Sequence, residues 1–123
     1  MEAVVLCGVQ AGGKTTLYRD RFLETHVRIS GDLLRTRARE ERFLALCLET
    51  RTPFAVDKVN PTPDERRPYV ERARAAGFRV VAYLVETAAD EALARNARRP
   101  PRRRVPIPGL LGTHGRLVAP SRA

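Results

Sequence analysis

The chain of 123 residues has little cysteine: Cys7 and Cys47 form no metal-binding or redox spacing, which excludes a site built on thiolates. Buried free thiols are the expectation, and with them a cytoplasmic location. No apolar run approaches the length of a membrane span, so no membrane association is expected. The N-terminus passes directly into an apolar run that the next motif needs, so a cleaved leader is not expected either. No internal repeat is present. Acidic residues are missing altogether between Arg95 and Arg104, where Arg95, Arg98, Arg99, Arg102, Arg103 and Arg104 crowd together. The net charge is +9, and without those six arginines it is 9 − 6 = +3, so the basic excess is mostly local. A patch of that kind either grips phosphates or is a solvated helix end. With 43% apolar and 30% charged residues the remainder reads as one globular domain spanning 1–123.

The chain is organised around Ala3 to Thr16. The apolar run Val4-Val5-Leu6-Cys7 leads into Gly8-x-x-x-x-Gly13-Lys14-Thr15, and a helical pattern follows. This is a P-loop between a strand and a helix. Glycine lets backbone N–H groups converge on phosphate oxygens, and the loop ends at a helix N-terminus, which favours an anion. Gly8, Gly13, Lys14, Thr15 and Thr16 are therefore expected to hold ATP. Lys14 would reach the β- and γ-phosphates, and the Thr15 hydroxyl would hold Mg²⁺.

The pattern predicts a first helix over residues 14–23 and a second strand at 26–29, with His26 a strand-edge residue. Tyr18 and Phe22, spaced i, i+4, are expected in the core. Ser30-Gly31-Asp32 turns the chain into one long helical run over 33–50, with Leu33, Leu34, Phe43, Leu44, Cys47 and Leu48 forming an apolar face. Arg35, Arg39 and Arg42 would then share one side of that helix. Phe54 to Asp57 reads as a third strand. Thr62 with Glu65 forms a capping box, Pro63 takes the first helical position, and Gly77 closes the helix in a left-handed cap. Pro68 predicts a kink or a late start to that helix. Residues 78–85 read as a parallel strand covered on both faces. Residues 90–99 read as a helix with Leu93, Ala94 and Ala97 inward. The segment 100–106 cannot be regular helix, and the tail over 107–123 has little pattern.

Strands alternating with helices predict an α/β fold, a three-layer sandwich on a mostly parallel sheet, with ligand bound beyond the carboxyl ends of the strands. Asp32 and Asp57 fall at that edge. Read locally, Asp32 is a helix N-cap.

Four segments beyond the P-loop occur in a telling order: Asp32-Leu-Leu-Arg35, Asp57-Lys58-Val59-Asn60-Pro61-Thr62, Arg95-Asn96-Ala-Arg98-Arg99, and Val105-Pro106. With them the sequence resembles the P-loop polynucleotide 5′-hydroxyl kinases, phage-type and repair-enzyme alike. The resemblance implies Asp32 as the base that takes the proton of a 5′-hydroxyl, with Lys14 and Arg99 beside it in catalysis. It implies Arg35 as a grip on the acceptor's phosphate, and Arg95 and Arg99 on an arginine-rich lid over about 95–106 that closes on the nucleotide. Asp57 would serve Mg²⁺ through a bound water. The implied partner is the 5′ end of a nucleic acid. Lys58 and Val59 depart from the family's small polar pair, and a lysine there would compete for Asp57. The family also continues beyond the point where this sequence stops, and the two departures together imply weak activity. A kinase of a small hydroxylated metabolite, a toxin-like kinase, and an ATP-binding module that transfers nothing are the competing readings.

Overall fold

A computed structural model describes residues 1–8, 13–60, 62–85, 89–103, 105 and 107–108. Within them the order is β1 (Glu2–Cys7), α1 (Lys14–Arg21), β2 (Val27–Ser30), α2 (Gly31–Leu34), α3 (Arg37–Glu49), β3 (Phe54–Asp57), α4 (Pro63–Ala75), β4 (Arg79–Leu84) and α5 (Ala89–Ala97), then a single 3₁₀ turn at Pro101–Arg103. Residues 9–12 inside the P-loop, Pro61, residues 86–88, Arg104, Pro106 and the tail 109–123 lie outside the described residues.

The four strands pair in the order β2-β3-β1-β4, all parallel. That order, with right-handed crossovers, settles the layers. The chain passes leftward from β1 to β2 through α1, and rightward from β3 to β4 through α4. The two helices must therefore cover opposite faces. Side chains alternate accordingly. Val4, Leu6 and Ala55 pack with Tyr18 and Phe22 on the α1 side. Ala3, Ile29, Phe54 and Val56 pack with Leu44, Cys47 and Ala73 under α3 and α4. The sandwich is three-layered, as expected, and its sheet is wholly parallel. Both cysteines are free and buried. No helix among the described residues is long and apolar enough to cross a membrane.

Several expectations fail for identifiable reasons. The helical run over 33–50 is two helices. Arg35 adopts φ 72°, and Thr36 caps α3 by accepting from the Arg39 N–H at 3.2 Å. A threonine at that position offers a fresh N-cap, and the cap outcompetes continuation. Arg35 therefore does not share a helix face with Arg39 and Arg42. Leu33 and Phe43 are exposed, and the inward residues are Leu34, Leu44, Cys47 and half-buried Leu48. Helix α4 starts at Pro63, with Thr62 accepting from the Glu65 N–H at 3.4 Å, and runs through Pro68 without a late start. The carbonyl that Pro68 deprives of a partner belongs to exposed Asp64, where water can replace the bond. Strand β4 is not covered on both faces. It is last in the sheet order, and Arg79 and Ala82 are exposed. On α5 the inward residues are Ala92, Leu93 and Asn96, whereas Ala94 and Ala97 face out.

Candidate functional site

Strands β1 and β3 are neighbours whose outgoing connections leave in opposite directions. Such a switch point opens a crevice at the carboxyl edge of a parallel sheet. Here it is a cleft of about 1260 Å³, lined by Gly13, Lys14, Thr15, Thr16, Asp32, Arg35, Asp57, Arg95 and Arg99, among others. Nine of the ten residues singled out in the sequence thus come together from α1, α2, β3 and α5 and the turns at their ends. Gly8 lies just beneath, at the buried end of β1. Its N–H donates to the Val59 carbonyl at 3.0 Å, and its carbonyl accepts from Lys14 Nζ at 2.9 Å. A side chain at Gly8 would meet the Val85 carbonyl at 3.0 Å, so only glycine lets the strand turn here. Gly13 sits at φ 102°, and a Cβ there would come within 3.0 Å of the Arg95 guanidinium. The glycine permits both the left-handed turn and the close approach of that arginine.

Lys14 opens α1, and only 8% of it is exposed. Burial pushes its pKa below the usual value; the charges of Asp57 and Asp32 pull it back up, and Arg99 pushes it further down. Asp32 and Arg99 are thus close enough to Lys14 to feel its charge from opposite walls of the cleft. A buried ammonium at a helix N-terminus is placed to meet a polyphosphate.

Asp32 is not the helix cap that local reading suggests. Ser30 caps α2, accepting from the Leu33 N–H at 3.4 Å. The Asp32 carboxylate, exposed in the first turn, is left to face the cleft. Arg35 stands beside it at the end of α2, its left-handed backbone turning the chain from α2 into α3. On the opposite wall Arg95 pairs with Glu91 at 2.8 Å, one turn back on α5. Arg99 and Arg102 line the cleft beyond it. Asn96 anchors this segment by a two-way clasp on Val105: its Nδ2 donates to the Val105 carbonyl at 2.7 Å, and its Oδ1 accepts from the Val105 N–H at 2.9 Å. Arg99 and Arg102 lie between the two ends of that clasp.

Asp57 ends β3, and its side chain is only 4% exposed. Lys58 does not compete for it. Its ammonium turns to Glu40 at 2.9 Å and to the Tyr69 hydroxyl at 3.2 Å. Burial pulls the Lys58 pKa down, but those two partners outweigh it and leave the pKa raised. The cation on Asp57 is Arg28, which sequence reasoning missed. Arg28 Nε and Nη2 each lie 2.8 Å from Asp57 Oδ2, and Nη2 donates to Thr15 Oγ1 at 3.3 Å. The signal was available: Arg28 precedes inward Ile29 on a four-residue strand, so it points to the opposite face, as Asp57 does after Val56. A second omission is Arg66, buried on α4 at i−3 and i−7 from Tyr69 and Ala73. Its Nε donates to the Asn60 carbonyl at 2.7 Å, and Asn60 Nδ2 donates to the Leu6 carbonyl at 3.0 Å. Asn60 takes φ 45°, a conformation asparagine tolerates better than most residues. The pair locks the loop after β3 against the strand that feeds the P-loop.

The family described as AAA domain matches residues 35–110. The chain belongs to that family. The match begins after the P-loop and takes in β3, α4, β4 and α5, so this AAA domain is identified by the elements around the nucleotide motif. No curated protein matches the sequence. Among solved structures, a gluconokinase from Sinorhizobium meliloti 1021 superposes with a TM-score of 0.68 at 18% identity, over 98% of this chain and 77% of its own. A chain of the Pnkp1/Rnl/Hen1 RNA repair complex gives 0.79 at 18% identity, over 94% of this chain, which spans only 43% of that longer one. Kti12 from Chaetomium thermophilum, in complex with ADP-AlF3, gives 0.74 at 16% identity, over 97% and 81%. At such identities the likeness establishes the fold, which is that of the P-loop kinases.

Proposed function

We propose that this AAA domain is an ATP-dependent phosphotransferase that moves the γ-phosphoryl to a hydroxyl acceptor, with the 5′-hydroxyl of a polynucleotide as the best-supported acceptor. The observation that carries the reading is the convergence of Lys14, Asp32, Arg35, Arg95 and Arg99 on one cleft at the switch point. A nucleotide binder that transfers nothing has no use for a carboxylate facing the phosphate lysine. An exposed aspartate not consumed by capping is what a base requires.

In the reaction, the bond between the γ-phosphorus and the β,γ-bridging oxygen breaks, and a bond from phosphorus to the acceptor oxygen forms. Asp32 takes the acceptor's proton, and ADP leaves with the bond's electron pair. Lys14 holds the β- and γ-phosphates. Arg95 and Arg99, on the lid, neutralise charge that spreads over the phosphoryl oxygens. Arg35 grips a phosphate of the acceptor through its planar fork. Thr15 Oγ1 and Asp57 Oδ2 lie 3.4 Å apart, two hard oxygen donors of the kind Mg²⁺ takes while keeping waters and phosphate ligands. The residues fit the ion: Thr15 would hold it directly, and Asp57 through water. When bound, the ion supplies positive charge to the phosphate oxygens.

Arginine-rich lining favours an acceptor that carries its own phosphates over a neutral alcohol. The gluconokinase likeness keeps the second reading, a kinase of a small hydroxylated metabolite. Transfer of labelled γ-phosphate to a panel of 5′-hydroxyl oligonucleotides and small polyols separates them. Label on the oligonucleotides alone supports the polynucleotide reading, and label on polyols alone overturns it. No transfer with ATP still bound leaves a binding module.

A further inference from the structure

The two oxygens suited to a divalent ion already share a cation. Arg28 Nε donates to Asp57 Oδ2 at 2.8 Å, and Nη2 lies 2.8 Å from the same oxygen and donates to Thr15 Oγ1 at 3.3 Å. The guanidinium is positioned by more than its acceptors. It lies 5.9 Å from the centroid of the Tyr18 ring, and the Tyr18 hydroxyl is pinned to the His26 carbonyl at 2.6 Å. Register explains the meeting: Arg28 pairs with Ala55 and Ser30 with Asp57, so Arg28 and Asp57 are diagonal neighbours on the face that α1 covers. Nothing in the phosphotransfer described above needs an arginine there.

We propose that Arg28 is a built-in counter-cation of the Thr15–Asp57 pair, which a divalent ion must displace, and that it thereby sets the divalent-ion concentration at which the cleft takes up ATP. The inference rests on the nucleotide reading of the cleft. An ion on Thr15 Oγ1, with its water on Asp57 Oδ2, needs the two oxygens that the guanidinium now occupies, and the two cations repel each other at that distance. With one quarter of its side chain exposed, Arg28 can swing outward past Tyr18 without opening the core. In its resting position it neutralises the buried Asp57 carboxylate, which keeps the nucleotide-free site folded at low divalent concentration. Charge-assisted hydrogen bonds to a buried carboxylate are the contacts the ion has to outcompete. Their usual strength corresponds to a factor of roughly 10 to 100 in binding.

The test is a Mg²⁺ titration of fluorescent ATP-analogue binding to wild type, Arg28→Met and Arg28→Lys, with thermal melts of the nucleotide-free proteins in chelator and in Mg²⁺. Arg28→Met should lower the Mg²⁺ midpoint by roughly 10- to 100-fold. It should melt below wild type in chelator and recover with Mg²⁺ alone, because ion binding stabilises the folded state by mass action. Arg28→Lys keeps a charge but loses the fork, and its midpoint should fall between the two. If Arg28→Met does not fold, the lysine variant carries the test. A Mg²⁺ midpoint unchanged in the variants overturns the inference while leaving the nucleotide reading intact. Absence of analogue binding at every Mg²⁺ concentration, in wild type too, overturns both.

Discussion

Replacing Asp32 with asparagine separates the catalytic reading from every structural one. The carboxylate is exposed, its helix is capped by Ser30 instead, and its charge acts on Lys14 across the cleft. Removing that charge should change stability by no more than about 0.5–1 kcal/mol, the range for a surface substitution that also loses a helix-start acid. Nucleotide affinity should hold or rise slightly, since one negative charge facing the phosphates is gone. Transfer, in contrast, should fall by about 10²- to 10⁴-fold, the usual worth of a positioned base, or about 3–5 kcal/mol of barrier. The assay is single-turnover transfer of labelled γ-phosphate to the best acceptor, alongside analogue binding and a thermal melt of the same preparations. Wild-type transfer by the variant would refute the assignment of Asp32 as base, and loss of nucleotide binding would show that the residue builds the site instead.

Arg99→Ala should slow turnover on the order of 10³-fold while weakening nucleotide binding far less, and a variant that loses only nucleic-acid affinity would make the segment a basic tail. Any nucleic-acid affinity should itself fall steeply with salt. The lowered pKa of Lys14 has a definite sign: between that lowered value and its ordinary 10.5 the unfolded chain holds a proton the folded chain lacks, so stability of the free protein rises with pH across that window. Phosphate binding favours the ammonium and reverses the shift, so ATP should be bound with proton uptake in the same alkaline window, measurable by calorimetry in buffers of different ionisation enthalpy; uptake unchanged in Lys14→Met would refute the assignment. Asn96→Leu should strip the Val105 backbone of both its partners at a cost of about 2–3 kcal/mol, and hydrogen exchange over 97–105 should speed up while β1 and β3 stay protected.

Local chemistry was legible at the P-loop and at the start of α4. Glycine at 8 and 13 and lysine at 14 identify a phosphate loop because few other uses need that spacing, and Thr62 with Glu65 marks the start of α4 because a cap requires a side-chain oxygen that accepts from an N–H three residues on. Where the pattern misled, two local signals competed. Leucines on either side of Arg35 suggest one helix, and only the cap at Thr36 breaks it. Apolar residues over 78–85 suggest burial on both faces, and only the order of strands puts them at an edge.

The amino-acid sequence by itself determined the kind of elements, their order and the phosphate-binding turn, because these depend on contacts within a few residues. Tertiary structure alone decided who neutralises whom. Arg28 meets Asp57, Arg66 meets Asn60 and Lys58 turns to Glu40 through strand register and helix packing. A charged side chain with several candidate partners of opposite sign is assigned by distance in space, and spacing along the chain carries no record of that distance.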